Sequence, residues 1–205
     1  MNSVRKIGLF LLISLLTTLP LLANEKLGHD SVYLGKHSYV SNAGYVPDSD
    51  TAVMIAVQIF RDAFGDEYAR NIKLSPELTG SQWKFETWKS EANRDKAVPI
   101  SKWEADWPRL TINKKDGAAT LNFQNGAGYT KDLVTDKDAA IKIAEAVWLP
   151  IYGKEVLDHE KPFKAELEGG IWNIHGFLPE ERSGGVAEIE INKTDGKILR
   201  VSHGK

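Results

Sequence analysis

The chain has 205 residues, 26 of them Lys or Arg and 28 Asp or Glu, for a formal charge of −2. That balance lacks the basic field that holds nucleic acid and singles out no strongly charged protein partner. There is no cysteine, so the fold is held by its core alone, and disulfide and thiolate chemistry are excluded.

Arg5 and Lys6 precede an almost wholly apolar run, residues 7–22, and Ala23 offers a small side chain before Asn24. This is the pattern of a secretory signal peptide, predicted over residues 1–23, and it implies a periplasmic protein. The run is shorter than the ~20 residues that span a bilayer, which argues against an uncleaved anchor. Processing leaves 24 basic and 28 acidic side chains, a charge of −4. Residues 24–47 show no period and read as an extended arm that packs on the first copy, or as a flexible leader. His29 and His37 lie here, with Asp30 next to the first of them. Without cysteine or further carboxylates they read as surface histidines rather than metal ligands.

A helix is predicted over 48–65. Asp48 or Asp50 caps it, Gly65 stops it, and Ala52, Ile55, Ala56, Ile59, Phe60 and Ala63 share one face. Trp83-Lys84-Phe85-Glu86-Thr87-Trp88 has strand-like alternation, as do Leu110 and Ile112. Between them lies a charged insertion, 89–107, carrying Trp103 and Trp107, with room for a short helix. Further on, Thr135 with Asp138 predicts a capping box. Ala140, Ile141, Ala144, Val147, Trp148 and Ile151 form the next apolar stripe, and Pro150 predicts a kink or an end near Leu149. Four strands follow. Phe163, Ala165 and Leu167 line one face of the first, and Gly169-Gly170 makes a two-residue hairpin turn. The second runs over 171–177. Ala187, Ile189 and Ile191 line the third, and Asp195-Gly196 turns into the fourth, 197–203.

The chain states this pattern twice. Ala52-Val53-Met54-Ile55-Ala56 returns as Ala140-Ile141-Lys142-Ile143-Ala144, Trp83 as Trp172, and Asn113-Lys114-Lys115-Asp116-Gly117 as Asn192-Lys193-Thr194-Asp195-Gly196. The expected fold class is α+β, with two tandem units, each a helix packed on an antiparallel β-meander. The first, 48–127, is divergent and bears the tryptophan insertion; the second is 135–205.

The second copy resembles the YbbC/YhhH family, also described as immunity proteins with a nuclear-transport-factor-like fold from bacterial polymorphic toxin systems. The resemblance is carried by Ala140 through Ala144, Tyr152-Gly153, Lys161-Pro162-Phe163, Trp172, Leu178-Pro179, Gly184-Gly185-Val186, Ile189 through Lys193, Asp195-Gly196 and His203-Gly204-Lys205. It covers about a third of the chain. The first copy has no Lys-Pro-Phe and no Gly-Gly before its third strand. The resemblance implies a role, binding a cognate toxin, but no catalytic site; the matched residues look structural, and Trp172 is expected in the core.

No nucleophile elbow, phosphate loop or paired-histidine zinc motif is present. His175 and His203 fall on strands of one sheet, where a surface or hydrogen-bonded role outweighs a catalytic pair. Glu188 and Glu190 have the spacing of a solvated strand face. No cofactor or metal is expected. Two functional classes remain. One is a periplasmic immunity protein that occludes a toxin, with Trp88, Trp103, Trp107, Glu180, Glu181 and Arg182 as candidate contacts. The other is a periplasmic ligand-binding protein or enzyme with a pocket between helix and sheet.

Overall fold

A computed structural model describes residues 31–34, 38–89, 107–179 and 184–204. The predicted signal peptide, His29 and His37 lie outside the described residues. The first unit begins with α1 (Ser49–Phe64), where the Asp48 carboxylate accepts from the Thr51 N–H at 2.8 Å, and Gly65 closes the helix at φ 91°. A short helix α2 (Asp66–Asn71) follows. Then come β3 (Ile72–Thr79), β4 (Gln82–Lys89), β5 (Pro108–Asn113) and β6 (Ala119–Phe123), an antiparallel sheet in that order.

The second unit has the same element order. It comprises α3 (Lys137–Tyr152), α4 (Lys154–His159), β7 (Lys164–Glu168), β8 (Ile171–His175), β9 (Ala187–Asn192) and β10 (Ile198–His203). A hairpin of β1 (Ser31–Leu34) and β2 (Ser38–Ser41) adds to its sheet, giving the order β1-β2-β10-β9-β8-β7. The fold is α+β with two units, as the paired pattern predicts. Among the described residues, no helix is long and apolar enough to cross a membrane.

The sheets alternate cleanly where they face the helices. In β5 Pro108, Leu110 and Ile112 are buried, and in β9 Ala187, Ile189 and Ile191. Ile55, Ile59 and Phe60 of α1 join Phe85, Leu110 and Ile112 in a core continuous with Ile143, Val147 and Trp148 of α3, Ile174 and Ile189. Each unit hangs a tryptophan on the segment leading into its helix. Trp83 Nε1 donates to the Val46 carbonyl at 2.9 Å, and Trp172 Nε1 to the Val134 carbonyl at 2.8 Å. The Asp-Gly turns are also built alike. Gly117 N–H donates to the Asn113 carbonyl and Gly196 N–H to the Asn192 carbonyl, at 2.8 and 2.9 Å.

Several expectations are corrected. Pro150 neither ends nor breaks α3, which continues to Tyr152. It lies in the last turn, where proline forfeits a single backbone bond to the preceding turn, and the Gly153 N–H still closes the helix on the Leu149 carbonyl at 3.0 Å. The helix is capped by Asp136, whose carboxylate accepts from Asp138 N–H, not by Thr135. Thr135 instead donates its hydroxyl to Asp62 of α1 at 2.6 Å, tying the two units. The N-terminal arm extends the sheet of the second unit, with Ser38 opposite Ser202, rather than packing only on the first. Its end does join the first unit, where Tyr45 and Val46 N–H groups donate to the Lys115 and Lys114 carbonyls. Leu167, expected to face inward, is exposed on the edge strand β7.

At the end of α1 an aromatic cluster joins Phe60, Phe64, Tyr68, Phe123 and Tyr129. Burial there pushes the Tyr68 phenol from 10.0 up to about 12, with a hydrogen bond to Thr87 acting against the shift. A raised phenol pKa means the folded state keeps its proton longer than the unfolded chain. Its contribution to stability is therefore complete below pH 10 and is lost as pH rises from 10 towards 12. Burial, with the Asp62 charge beside it, also raises the Tyr129 phenol. Alkaline titration followed by tyrosinate absorbance should show late-titrating phenols, the latest of which, at about 12, Tyr68→Phe removes. Titration of every tyrosine near 10 in the folded protein would contradict this.

Candidate functional site

The candidate contact residues belong to two connections that hold equivalent places in the strand order. Trp88 lies in β4 with Lys73 of β3 as its register partner. Trp107 precedes β5, is half-buried, and its carbonyl accepts from Gln124 N–H at 3.1 Å. Trp103 falls outside the described residues, as do Glu180, Glu181 and Arg182. The tryptophan insertion links β4 to β5, and the 180–183 loop links β8 to β9. Each joins the second and third strands of its own sheet, so candidates chosen on separate grounds mark the same place in both units. The Asp-Gly turns lie at the other end of β5 and β9, where the units meet. Ala119 N–H donates to the Asp195 carbonyl at 2.8 Å, and Ile198 N–H to the Asp116 carbonyl at 2.7 Å. Both loops therefore leave their sheets at the ends away from the contact between units.

At the base of the 180–183 loop is a polar cluster that the sequence did not disclose. Glu160 ends α4 and is only 5% exposed. Its Oε2 accepts from Ala187 N–H at 2.8 Å, and its Oε1 lies 2.9 Å from His203 Nε2. The Glu160 carbonyl accepts from Phe177 N–H at 2.7 Å. One residue thus ties the end of α4, the exit from β8, the start of β9 and the end of β10. The ring of Tyr152 meets His203 edge-on at 5.3 Å. The terminal histidine was legible as part of a matched motif. Its acid partner was not, because nothing in sequence spacing brings position 160 to position 203.

The first unit explains why this cluster is polar. The register pairs Pro108 with Phe123 where the second unit pairs Ala187 with His203. Ile72 follows α2 as Glu160 follows α4. Phe64 meets Phe123 at 6.3 Å where Tyr152 meets His203. Proline has no N–H, so the first unit needs no acceptor there, and the residue after α2 is an isoleucine. Ala187 has one, and a buried donor without a partner is costly.

His175 does not converge with His203. His203 stands in the register row of Ala187 and His175 in that of Glu188; consecutive residues of β9 face opposite sides of the sheet. Glu188 and Glu190 are more than a solvated face. Arg200 Nε donates to Glu190 at 2.7 Å and its Nη1 to Glu188 at 3.3 Å, while Ser202 Oγ donates to Glu188 at 3.0 Å. These contacts, the Glu190 hydrogen bond first, hold the Arg200 guanidinium above its usual range. A groove of about 330 Å³ runs between α1 and α2, lined by Val57, Arg61, Asp66, Ala69 and Arg70. It lies away from the Glu160–His203 pair. Among the described residues, no three His, Asp or Glu side chains are grouped to hold a metal ion.

The second unit is where known proteins match. The model of the family described as NTF2 fold immunity protein matches residues 139–205. The chain is 34% identical over 85 residues to the uncharacterized protein YhhH of Escherichia coli (strain K12), a stretch covering 40% of this chain and 67% of YhhH. The chain belongs to the NTF2-fold immunity protein family. It is also 37% identical over 76 residues to the uncharacterized protein YbbC of the same organism, 37% of this chain and 62% of YbbC. No solved structure gives a significant match.

Within the matched stretch the backbone is closely packed. At Gly185 a Cβ would stand 1.8 Å from the Gly204 backbone carbon, so the chain before β9 and the chain after β10 touch backbone to backbone. Gly185→Ala should force these segments apart and cost about 1–3 kcal/mol, the range for overpacking a filled site. Urea denaturation checks it; a loss within about 0.5 kcal/mol would show that the contact yields freely.

Proposed function

We propose that the protein is a periplasmic immunity protein that binds a cognate bacterial toxin and inhibits it by occlusion, without turnover of its own. The observation that carries this reading is the family match, which spans the second unit from its helix to its last strand. The apolar run before Asn24 supports export, and mass spectrometry of envelope protein is expected to find an N-terminus near that residue. An intact Met1 on cytoplasmic protein would remove the case for a periplasmic toxin.

The contact residues proposed are Trp88, Trp103 and Trp107 at one loop and Glu180, Glu181 and Arg182 at the other. Buried aromatic anchors with a polar rim dominate tight interfaces of this kind. Trp103→Ala or Trp107→Ala is expected to weaken binding to the toxin encoded beside this gene by at least ~2 kcal/mol, about 30-fold. Thermal melts run alongside separate lost binding from lost folding. Loss of stability with intact binding would assign the tryptophans to packing and move the interface to Glu180, Glu181 and Arg182.

The second reading, a ligand-binding protein or enzyme, draws on one observation, the buried Glu160 carboxylate beside His203. No binding by the natural protein, together with an activity abolished by His203→Ala, would favour it.

A further inference from the structure

We propose that the contact between the two units is a self-association surface closed within a single chain: the first unit occupies the place of a second copy of the second unit. This goes beyond the inhibitory role and does not depend on it.

The contact has the form of a two-fold interface. In such an interface the same patch serves on both sides, and residue i meets j while j meets i. Here Ala119 and Ile198 hold equivalent positions after the Asp-Gly turns, as do Asp116 and Asp195 within them. Each unit's N–H donates to the other unit's carbonyl, and the two bonds are 2.8 and 2.7 Å. The equivalent helices α1 and α3 pack on each other.

The helices are buried in matching ways. Thr51 is buried as Ala139 is, Ile55 as Ile143, Gln58 as Ala146, and Phe60 as Trp148. At 3.6 residues per turn, the buried positions sweep an arc of about 200°. A helix covering only its own sheet needs a stripe of roughly 100°. The remainder is what the neighbouring unit covers, and a lone unit would leave it wet. Here 85 residues are 67% of YhhH, which makes YhhH about 127 residues long. That is room for one such unit, whereas the two units here run from Tyr45 to Gly204.

The symmetry is broken where Lys197 reaches the Asp116 carboxylate at 3.4 Å, since the position equivalent to Lys197 is Ala118, and again at the helices. Asp62 accepts from the Thr135 hydroxyl and the Asp136 N–H, at 2.6 and 3.1 Å. The equivalent positions on the other side are Pro150 and Pro47, which cannot make this clasp. It favours unlike units over like ones, as a chain that closes on itself requires.

The test inserts a protease site between Thr130 and Lys131, which are exposed, in the full chain. Cleavage follows folding, with circular dichroism before and after. The intact protein should sediment as a single chain. The cut pieces should stay together at the intact size, and on dilution native mass spectrometry should detect pairs of the 131–205 piece. Pieces that part and remain single would overturn the proposal, as would an intact chain that dimerises. If the insertion disturbs the fold, limited trypsin cleavage at Lys131 of the unmodified chain gives the same readout.

Discussion

Trp172→Ala is expected to destabilise the protein by about 3–5 kcal/mol, the range for truncating a large buried aromatic side chain. Trp172 is 6% exposed, within the core that runs through both units. Two losses combine. The cavity forfeits the contacts of the indole ring, and the Val134 carbonyl loses its donor at 2.8 Å. That carbonyl lies just ahead of the Asp136 cap of α3, so the substitution also loosens the path into the helix. Trp172→Phe separates the two losses. It keeps most of the ring contacts but removes the donor, and should cost about 1–3 kcal/mol. Urea denaturation followed by far-ultraviolet circular dichroism is the measurement, because tryptophan fluorescence changes with the substitution itself. A loss from Trp172→Ala within about 0.5 kcal/mol would place the side chain at the surface and contradict the core described above.

Glu160→Ile should cost about 3 kcal/mol, because it removes the acceptor of a buried N–H and leaves His203 without its carboxylate. The first unit supplies a rescue. Ile72 follows α2 as Glu160 follows α4, and Pro108 pairs with Phe123 as Ala187 pairs with His203. The triple variant Glu160→Ile, Ala187→Pro, His203→Phe transplants that apolar solution. It is expected to recover most of the stability that Glu160→Ile loses, since removing both partners of a buried polar contact costs far less than removing one. A triple variant no more stable than Glu160→Ile would mean that the two sites are not interchangeable. Glu160→Gln keeps an acceptor for Ala187 and should lie between the two.

The sequence by itself determined the elements whose signals are local. Asp48, Gly65 and the three-and-four spacing between them set the bounds of α1, because caps and amphipathic faces act within a few turns. Gly169-Gly170 and Asp195-Gly196 set two turns, and strict alternation from Ala187 to Ile191 set which face of β9 is buried. The ordered recurrence of helix, tryptophan and turn disclosed two units. What depended on distant partners was decided only by the tertiary structure. Pro150 reads as a helix breaker, yet the Gly153 cap and the packing of α3 carry the helix past it. Thr135 has the look of a cap, but Asp62, seventy-three positions earlier, takes its hydroxyl. The arm shows no period, because its hairpin is fixed by the pairing of β2 with β10 at the far end of the chain. Glu160 and His203 are forty-three positions apart, and only the tertiary fold brings carboxylate to imidazole. Local propensity cannot encode such contacts, because their free energy arises only once desolvated surfaces have met.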